Sequence, residues 1–364
     1  MATRDHANSL GEKGRVTMRG GMTKKGCEGG DKRRPEISRR DFLKYSAAAA
    51  GGLLLLGSGG GLAMESSKSN VALLRTEDRK SAVGPCITAL NINPIRNKDV
   101  LIKPNFNTAD LFPGSTHDDT LVALVKEVWS LGAKSVSLGE RSYPPTREVM
   151  EQKGVLPLMK DLDVRVMDFD DLDETGWVEF KPKDSHWQNG FRVARPILEA
   201  ECLISTCCLK THQYGGVFTM SLKLHVGVVP TRRHGYGYMG ELHGSPHQQK
   251  MIAEINTPFK PDLILLDGIE AFVDGGPMTG KRAQGNVFLA SIDRVAIDAV
   301  GVALLKVLGS NEHIMGPKIF EQEQIARAVE LGLGASSPSE IELVPADDQS
   351  REYRDRVVEI LNTG

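Results

Sequence analysis

Two Lys-x-His triplets, Lys210-Thr211-His212 and Lys223-Leu224-His225, stand thirteen positions apart inside the stretch CCLKTHQYGGVFTMSLKLHVGVVP. A lysine ammonium holds a carboxylate or phosphate by charge and hydrogen bonding, and a nearby imidazole moves protons close to neutral pH. The triplets are not equivalent. Lys210 and His212 end an apolar run that reads as a strand, where a period of two sends both side chains the same way. Lys223 and His225 fall on a following helical turn about 200° apart, so they cannot share a face. Lys210, His212 and Lys223 are therefore site candidates, and His225 is expected to be structural or peripheral.

The same question can be put to every apolar run. VLIK (100–103) leads into Pro104-Asn105-Phe106-Asn107, SVSL (135–138) into Gly139-Glu140-Arg141, LISTCC into Lys210-Thr211-His212, and LILL (263–266) into Asp267-Gly268-Ile269-Glu270. Open α/β sheets bind ligands in the crevice beyond the carboxyl ends of their strands. Four polar clusters in that place predict one shared site. Lys210, His212, Lys223 and Asp267 are its candidate catalytic groups, with Lys103, Asn105, Asn107, Glu140 and Glu270 as ligand-binding candidates.

The elements that would position them alternate along the chain. Strands are predicted at 100–103, 135–138, 164–169, 202–207, 263–266 and 287–291. Amphipathic helices are predicted at 118–131, 146–153, 248–256, 294–308 and 318–331. Near-continuous apolar strands alternating with helices imply an α/β fold: a mostly parallel sheet with helices on both faces and functional loops at the carboxyl ends of the strands. Two segments interrupt the pattern. Residues 170–196 are acidic and contain Trp177 and Trp187; residues 231–249 are rich in Gly, His and Tyr, with no helical or strand period. A structureless loop of that length is expected to be a lid or a binding loop.

Asp293 reads as the cap of the helix after it. Asp298 lies in the apolar interior of that helix, where a carboxylate requires a partner, and joins the ligand-binding candidates. Five of the nine histidines lie between 212 and 247. Imidazole and carboxylate together suit a divalent transition metal, with His212 and His243 as its candidate ligands, although no fixed ligand spacing such as H-E-x-x-H is present. Gly275 to Lys281 fits G-x-x-x-x-G-K, but Arg282 stands where a phosphate-binding loop needs Ser or Thr, and a strand follows rather than a helix. Gly276 and Gly280 are instead read as a glycine turn shaping the rim of the pocket.

The motifs LIKPNFN, LKTH followed by SLKLHVG, and LDGIEAFVDGGPMTGKRAQGNVFLASIDRVAIDAV resemble, in order and spacing, the domain of unknown function 362, over about Val71 to Leu308. The resemblance implies a fold and a site location more than a reaction. Its recurrent positions map onto Lys103, Asn105, Lys210, His212, Lys223, His243, Asp267, Gly276-Pro277, Gly280, Asp293 and Asp298. Two departures stand out: relatives carry Lys-Asn where this chain has Lys223-Leu224, and the clustered cysteines of iron-sulfur relatives are missing, so no iron-sulfur cluster is expected. Cys202, Cys207 and Cys208 read as small buried residues.

Charge divides the chain. Residues 1–44 hold 12 Lys or Arg against 6 Asp or Glu, while the chain as a whole is at minus 2, which leaves the remainder at minus 8. That balance argues against a nucleic-acid partner. The basic part holds Ser38-Arg39-Arg40-Asp41-Phe42-Leu43-Lys44 ahead of an uncharged Ala/Gly/Leu-rich stretch, a twin-arginine export address read by the twin-arginine translocase. Cleavage is expected after Gly61-Leu62-Ala63. Residues 1–63 are thus a leader, 64–364 a single α/β domain, the membrane is met only in transit, and the destination is the periplasm or another extracytoplasmic space. An uncleaved anchor over 45–64 is the competing reading. Two functions fit: an exported enzyme whose Lys/His/Asp pocket takes an anionic small molecule, with or without a metal, or a non-catalytic ligand-binding or maturation protein for an exported redox system.

Overall fold

The computed structural model describes residues 68–364; the leader, its cleavage point and the alternative anchor lie outside the described residues. The strands are β1 (Ser69–Arg75), β2 (Asp99–Lys103), β3 (Ser135–Glu140), β4 (Arg165–Asp168), β5 (Trp177–Phe180), β6 (Phe191–Ala194), β7 (Cys202–His212), β8 (Val217–Thr219), β9 (Leu263–Gly275), β10 (Gly280–Gln284), β11 (Val287–Ser291) and β12 (Ile341–Pro345). Ten of them form one mixed sheet, in the order β12-β1-β11-β9-β7-β2-β3-β4, with β8 added to β7 and β10 to β9. Along that path only β11 runs against its neighbours. Strands β5 and β6 make a separate hairpin.

Helices cover both faces of the sheet, and their sequences show why. In Asp118–Ser130, Leu121, Leu124, Val125 and Val128 fall at i, i+3, i+4 and i+7 and are all buried. Asp118 and Asp119 sit in its first turn, where the helix dipole favours negative charge. Arg294–Leu308 is apolar on nearly every side and buried from Arg294 to Leu305. Its start is fixed by Asp293, whose carboxylate accepts from the backbone of Val295 and Ala296 at 2.8 and 2.9 Å.

Several predicted boundaries move, each for a local reason. Strands β7 and β9 do not stop at their polar residues; they run on to His212 and Gly275. The extensions are possible because β8 and β10 turn back and take up their backbone hydrogen bonds. Residues 231–249 are not structureless: Arg233 bridges to Tyr236, and Tyr238–Gly244 is a helix seated on buried Tyr238 and Leu242. The predicted helix over 318–331 is broken at Gln322, leaving a single turn at Ile319–Glu321 and a helix at Glu323–Glu330.

The glycine run after β9 makes a β-hairpin turn, and strand β10 follows it rather than a helix. Gly276 has φ 78°, and a methyl group on it would stand 2.1 Å from the Thr211 carbonyl oxygen. Only glycine allows both that backbone and that approach to β7.

Candidate functional site

Strand order reverses between β2 and β7: β3 and β4 continue on one side of β2, and β9 lies beyond β7 on the other. Open α/β sheets bind ligands at such a switch point; here the side chains that meet there are buried. Lys103 ends β2 and is level with Ser205, so β7 carries Lys210 and His212 well past it. Lys210 is fully buried. Its ammonium donates to Asn105 Oδ1 at 3.1 Å, to the Gly114 carbonyl at 2.5 Å and to the Pro277 carbonyl at 3.4 Å. All three partners are neutral oxygens. Burial pushes this amine below the ordinary lysine value, with Cys208 and Asp110 opposing.

Beneath lies an ion pair. Lys103 Nζ stands 2.5 Å from Glu140 Oε1, with side chains 1% and 2% exposed. Glu140 also accepts from the backbone N–H of Phe106 and of Arg141, both at 2.9 Å, and so ties the loop after β2 to the end of β3. Burial pushes the carboxyl up and the amine down, and their attraction opposes both shifts. A methyl group on Gly227 would lie 2.5 Å from Glu140 Oε1 and 2.8 Å from Lys103 Nζ, so the chain after Lys223 closes directly over the pair.

Lys223 comes from the short helix Ser221–Leu224 and is 8% exposed. It and His212 close on one point: a methyl group on Gly216 would meet Lys223 Cε at 2.5 Å and His212 Nδ1 at 2.9 Å. Among the described residues, His212 Nδ1 has no hydrogen-bond partner although it is buried. The lysine amine is lowered to about 7, first by burial, then by the like charges of Lys210 and Arg141. Burial, then Lys223, Lys210 and His243, hold the His212 imidazole far below its usual range. His243 is lowered by burial, Lys223 and Arg141. The site therefore gathers three basic groups, Lys210, Lys223 and Arg141, around two neutral imidazoles, and the Lys223 amine is only partly protonated at neutral pH.

Arg141 was not among the sequence candidates, although it directly follows Glu140 in the same strand-end cluster. Its guanidinium donates to the Val226 carbonyl at 2.7 Å and reaches Met239 Sδ at 3.4 Å, so it joins β3 to both segments that follow β8. The segment carrying His243 is held by the other interrupting segment. Arg233 donates to the Leu172 carbonyl at 2.7 Å, His234 stands 2.8 Å from Glu174, and the Gln188 N–H donates to Glu241 at 2.6 Å. Residues 170–196 and 231–249 thus make one cap beside the cluster.

The other candidates lie apart. Asp267 is inside β9 and is occupied by Arg79 Nε at 2.9 Å, Thr120 Oγ1 at 2.6 Å and the Ile269 N–H at 3.1 Å. Glu270 faces Arg282 across the β9–β10 hairpin at 3.1 Å. The Asn107 side chain is exposed, and its carbonyl accepts from Tyr143 N at 2.7 Å. Gly280 serves the hairpin, where a methyl group would lie 2.3 Å from the Asp274 carbonyl. His225 is in the core, between Ser205 Oγ at 2.9 Å and Asn256 Oδ1 at 2.7 Å. Cys202, Cys207 and Cys208 are free and buried, and burial pushes the Cys208 thiol to about 11.

Asp298 finds its partner at the start of the Lys223 helix. Its two oxygens accept from the backbone N–H of Ser221 at 2.7 Å and of Leu222 at 3.0 Å. It is a positioning residue for Lys223. Asp298→Ala should leave both N–H groups unpaired in the core, at about 1–3 kcal/mol each. A fall of that size in the unfolding free energy measured by denaturant titration, together with loss of the pH response of Lys223, is the expected result; a change under about 0.5 kcal/mol would remove the capping role.

A divalent metal site built from protein needs three or more ligands. Among the described residues no group of three or more His, Cys, Asp or Glu side chains is placed to hold one. His212 and His243 supply two neutral imidazoles, and the side chains beside them are the basic groups Lys223, Lys210 and Arg141 rather than further carboxylate or imidazole ligands.

Known families and proteins resemble the chain as follows. Residues 100–303 match the family described as Domain of unknown function (DUF362), and residues 36–57 match the twin-arginine translocation pathway signal sequence. A thylakoid-associated protein of Synechocystis sp. is 28% identical over 248 residues, 66% of this chain and 73% of that protein. The lactate racemase apoprotein from Thermoanaerobacterium thermosaccharolyticum superposes with a TM-score of 0.37 and 12% identity, over 79% of this chain and 86% of that one.

Proposed function

The chain belongs to the DUF362 family and carries a twin-arginine signal sequence, and from that premise we propose that it is an exported protein binding a small anionic molecule at the β2/β7 switch point. Lys210, Lys223 and Arg141 would neutralise the anion, and His212 and Lys223 would handle protons beside it. The observation that carries this reading is a cluster of buried basic groups with no carboxylate hydrogen-bonded to Lys210 or Lys223 among the described residues. Two buried lysines lie together, one held only by neutral oxygens and the other feeling only charges of its own sign. Buried cations are costly without an anion, and the cluster supplies none for Lys223. A bound carboxylate or phosphate would complete it.

The test is titration calorimetry of the purified chain with oxalate and with inorganic phosphate. One of the two should bind with one site per chain, and Lys210→Met should abolish the heat while leaving the thermal unfolding transition in place. A wild-type protein that binds neither anion, or a Lys210→Met protein that binds equally well, would overturn the reading.

Export to the periplasm or an equivalent extracytoplasmic space is part of the same proposal. Replacing Arg39 and Arg40 by Lys should trap the precursor in the cytoplasm, seen by cell fractionation, because the address is read through the arginine pair. Undiminished export of that variant would refute it. Among the described residues, no helix is long and apolar enough to cross a membrane.

A further inference from the structure

Resting on the anion-binding reading, we propose that Lys223 is a nucleophile that condenses with a small 2-oxo carboxylate to form an imine, while Lys210 and Arg141 hold the carboxylate. The placement of the amine carries the argument. Lys223 is fixed by the Asp298-capped turn, has no carboxylate partner among the described residues, and brings its Cε against the same Gly216 backbone that His212 Nδ1 approaches. Lysines of this kind, desolvated beside another cationic group, are the ones that attack carbonyl carbons. Burial and the two neighbouring cations also keep a large share of the amine uncharged at neutral pH.

The neighbours match the needs of the reaction. The amine lone pair attacks the keto carbon, a C–N bond forms, and the carbonyl π electrons move to oxygen. That oxygen then leaves as water, taking both amine protons, as the C=N bond forms; amine plus ketone gives imine plus water, with no oxidant or reductant. A proton must be removed from nitrogen and delivered to oxygen. His212 Nδ1 is neutral, buried, without a partner and against the same Gly216 backbone as the lysine chain, so it stands where that proton passes. An anionic group on the carbonyl compound is what the remaining cations require.

The experiment incubates the purified chain with pyruvate, 2-oxoglutarate or dihydroxyacetone phosphate in the presence of sodium cyanoborohydride, followed by intact-mass measurement and peptide mapping. A single adduct on Lys223 with a 2-oxo acid is expected. It should be suppressed by excess oxalate, which binds as an anion but forms no imine under these conditions. Lys223→Arg and Lys223→Met should lose the adduct, and exposed Lys281→Arg should keep it. Adducts scattered over surface lysines, or an adduct with dihydroxyacetone phosphate alone, would overturn the proposal. Oxalate binding with no adduct would sink the imine and leave the anion site standing; absence of both would sink the two together.

Discussion

Glu140→Gln should destabilise the protein by about 3–5 kcal/mol, a large part of the roughly 5–15 kcal/mol that holds a domain folded. The Lys103 ammonium would lose its carboxylate partner while its side chain stays 1% exposed. It has one escape, which is to give up its proton. At pH 7 that costs about 1.4 kcal/mol for each unit between pH 7 and the ordinary lysine value, so the penalty is capped near 5 kcal/mol. Glutamine is close in shape and keeps an oxygen for one of the N–H groups of Phe106 and Arg141 that Glu140 now satisfies. The loss therefore reports mainly charge. Adding Lys103→Met to Glu140→Gln should recover most of it, because a neutral, well-filled pair often matches a buried ion pair. Urea denaturation of the two variants decides the point: a loss below about 1 kcal/mol in the single variant would mean that water reaches the pair.

The contrast between Lys103 and Lys223 also marks what could be read in the sequence. Lys103 follows from a strand-end polar cluster and Lys223 from the helical turn after the LKTH strand, and the α/β alternation follows from apolar periodicity, which gave Arg294–Leu308 and Val287–Ser291 with their observed ends. Periodicity could not say which acid meets which base. Glu140 and Lys103 are thirty-seven residues apart and meet because β2 and β3 lie side by side. Asp298 needed a partner on any reading of its helix, yet that partner, the turn at Ser221 and Leu222, is brought to it by the chain after β8. Strands β7 and β9 were cut short because Lys210, His212, Asp267 and Glu270 break the apolar run; hairpin pairing, a non-local effect, overrides composition there. The same extension moves Asp267 and Glu270 away from the strand end and out of the cluster. The helix Tyr238–Gly244 was hidden by Gly240 and Gly244, poor helix formers held here by the burial of Tyr238 and Leu242.

Anion affinity should fall as pH rises through about 7. The Lys223 amine titrates near 7 in the folded chain against an ordinary 10.5. Between those values the unfolded chain holds a proton that the empty folded site lacks. The contribution of Lys223 to the stability of the empty protein is therefore fully present above 10.5 and is lost as pH falls towards 7. A bound anion reverses the preference at Lys223, because its charge favours the ammonium. Above pH 7 binding must then be accompanied by uptake of a proton, and affinity weakens by up to about tenfold per pH unit, or about a hundredfold between pH 7 and 9. In the empty site the His212 imidazole is neutral, held far below its usual range by burial and by Lys223 and Lys210. Calorimetry in two buffers of different ionisation enthalpy measures the proton directly. Lys223→Arg should flatten the profile, since a guanidinium remains charged; any slope that survives belongs to Lys210, which burial shifts in the same direction. An affinity in the wild-type chain that does not change from pH 6 to pH 9, with a ligand of constant charge, would mean that Lys223 does not face the anion.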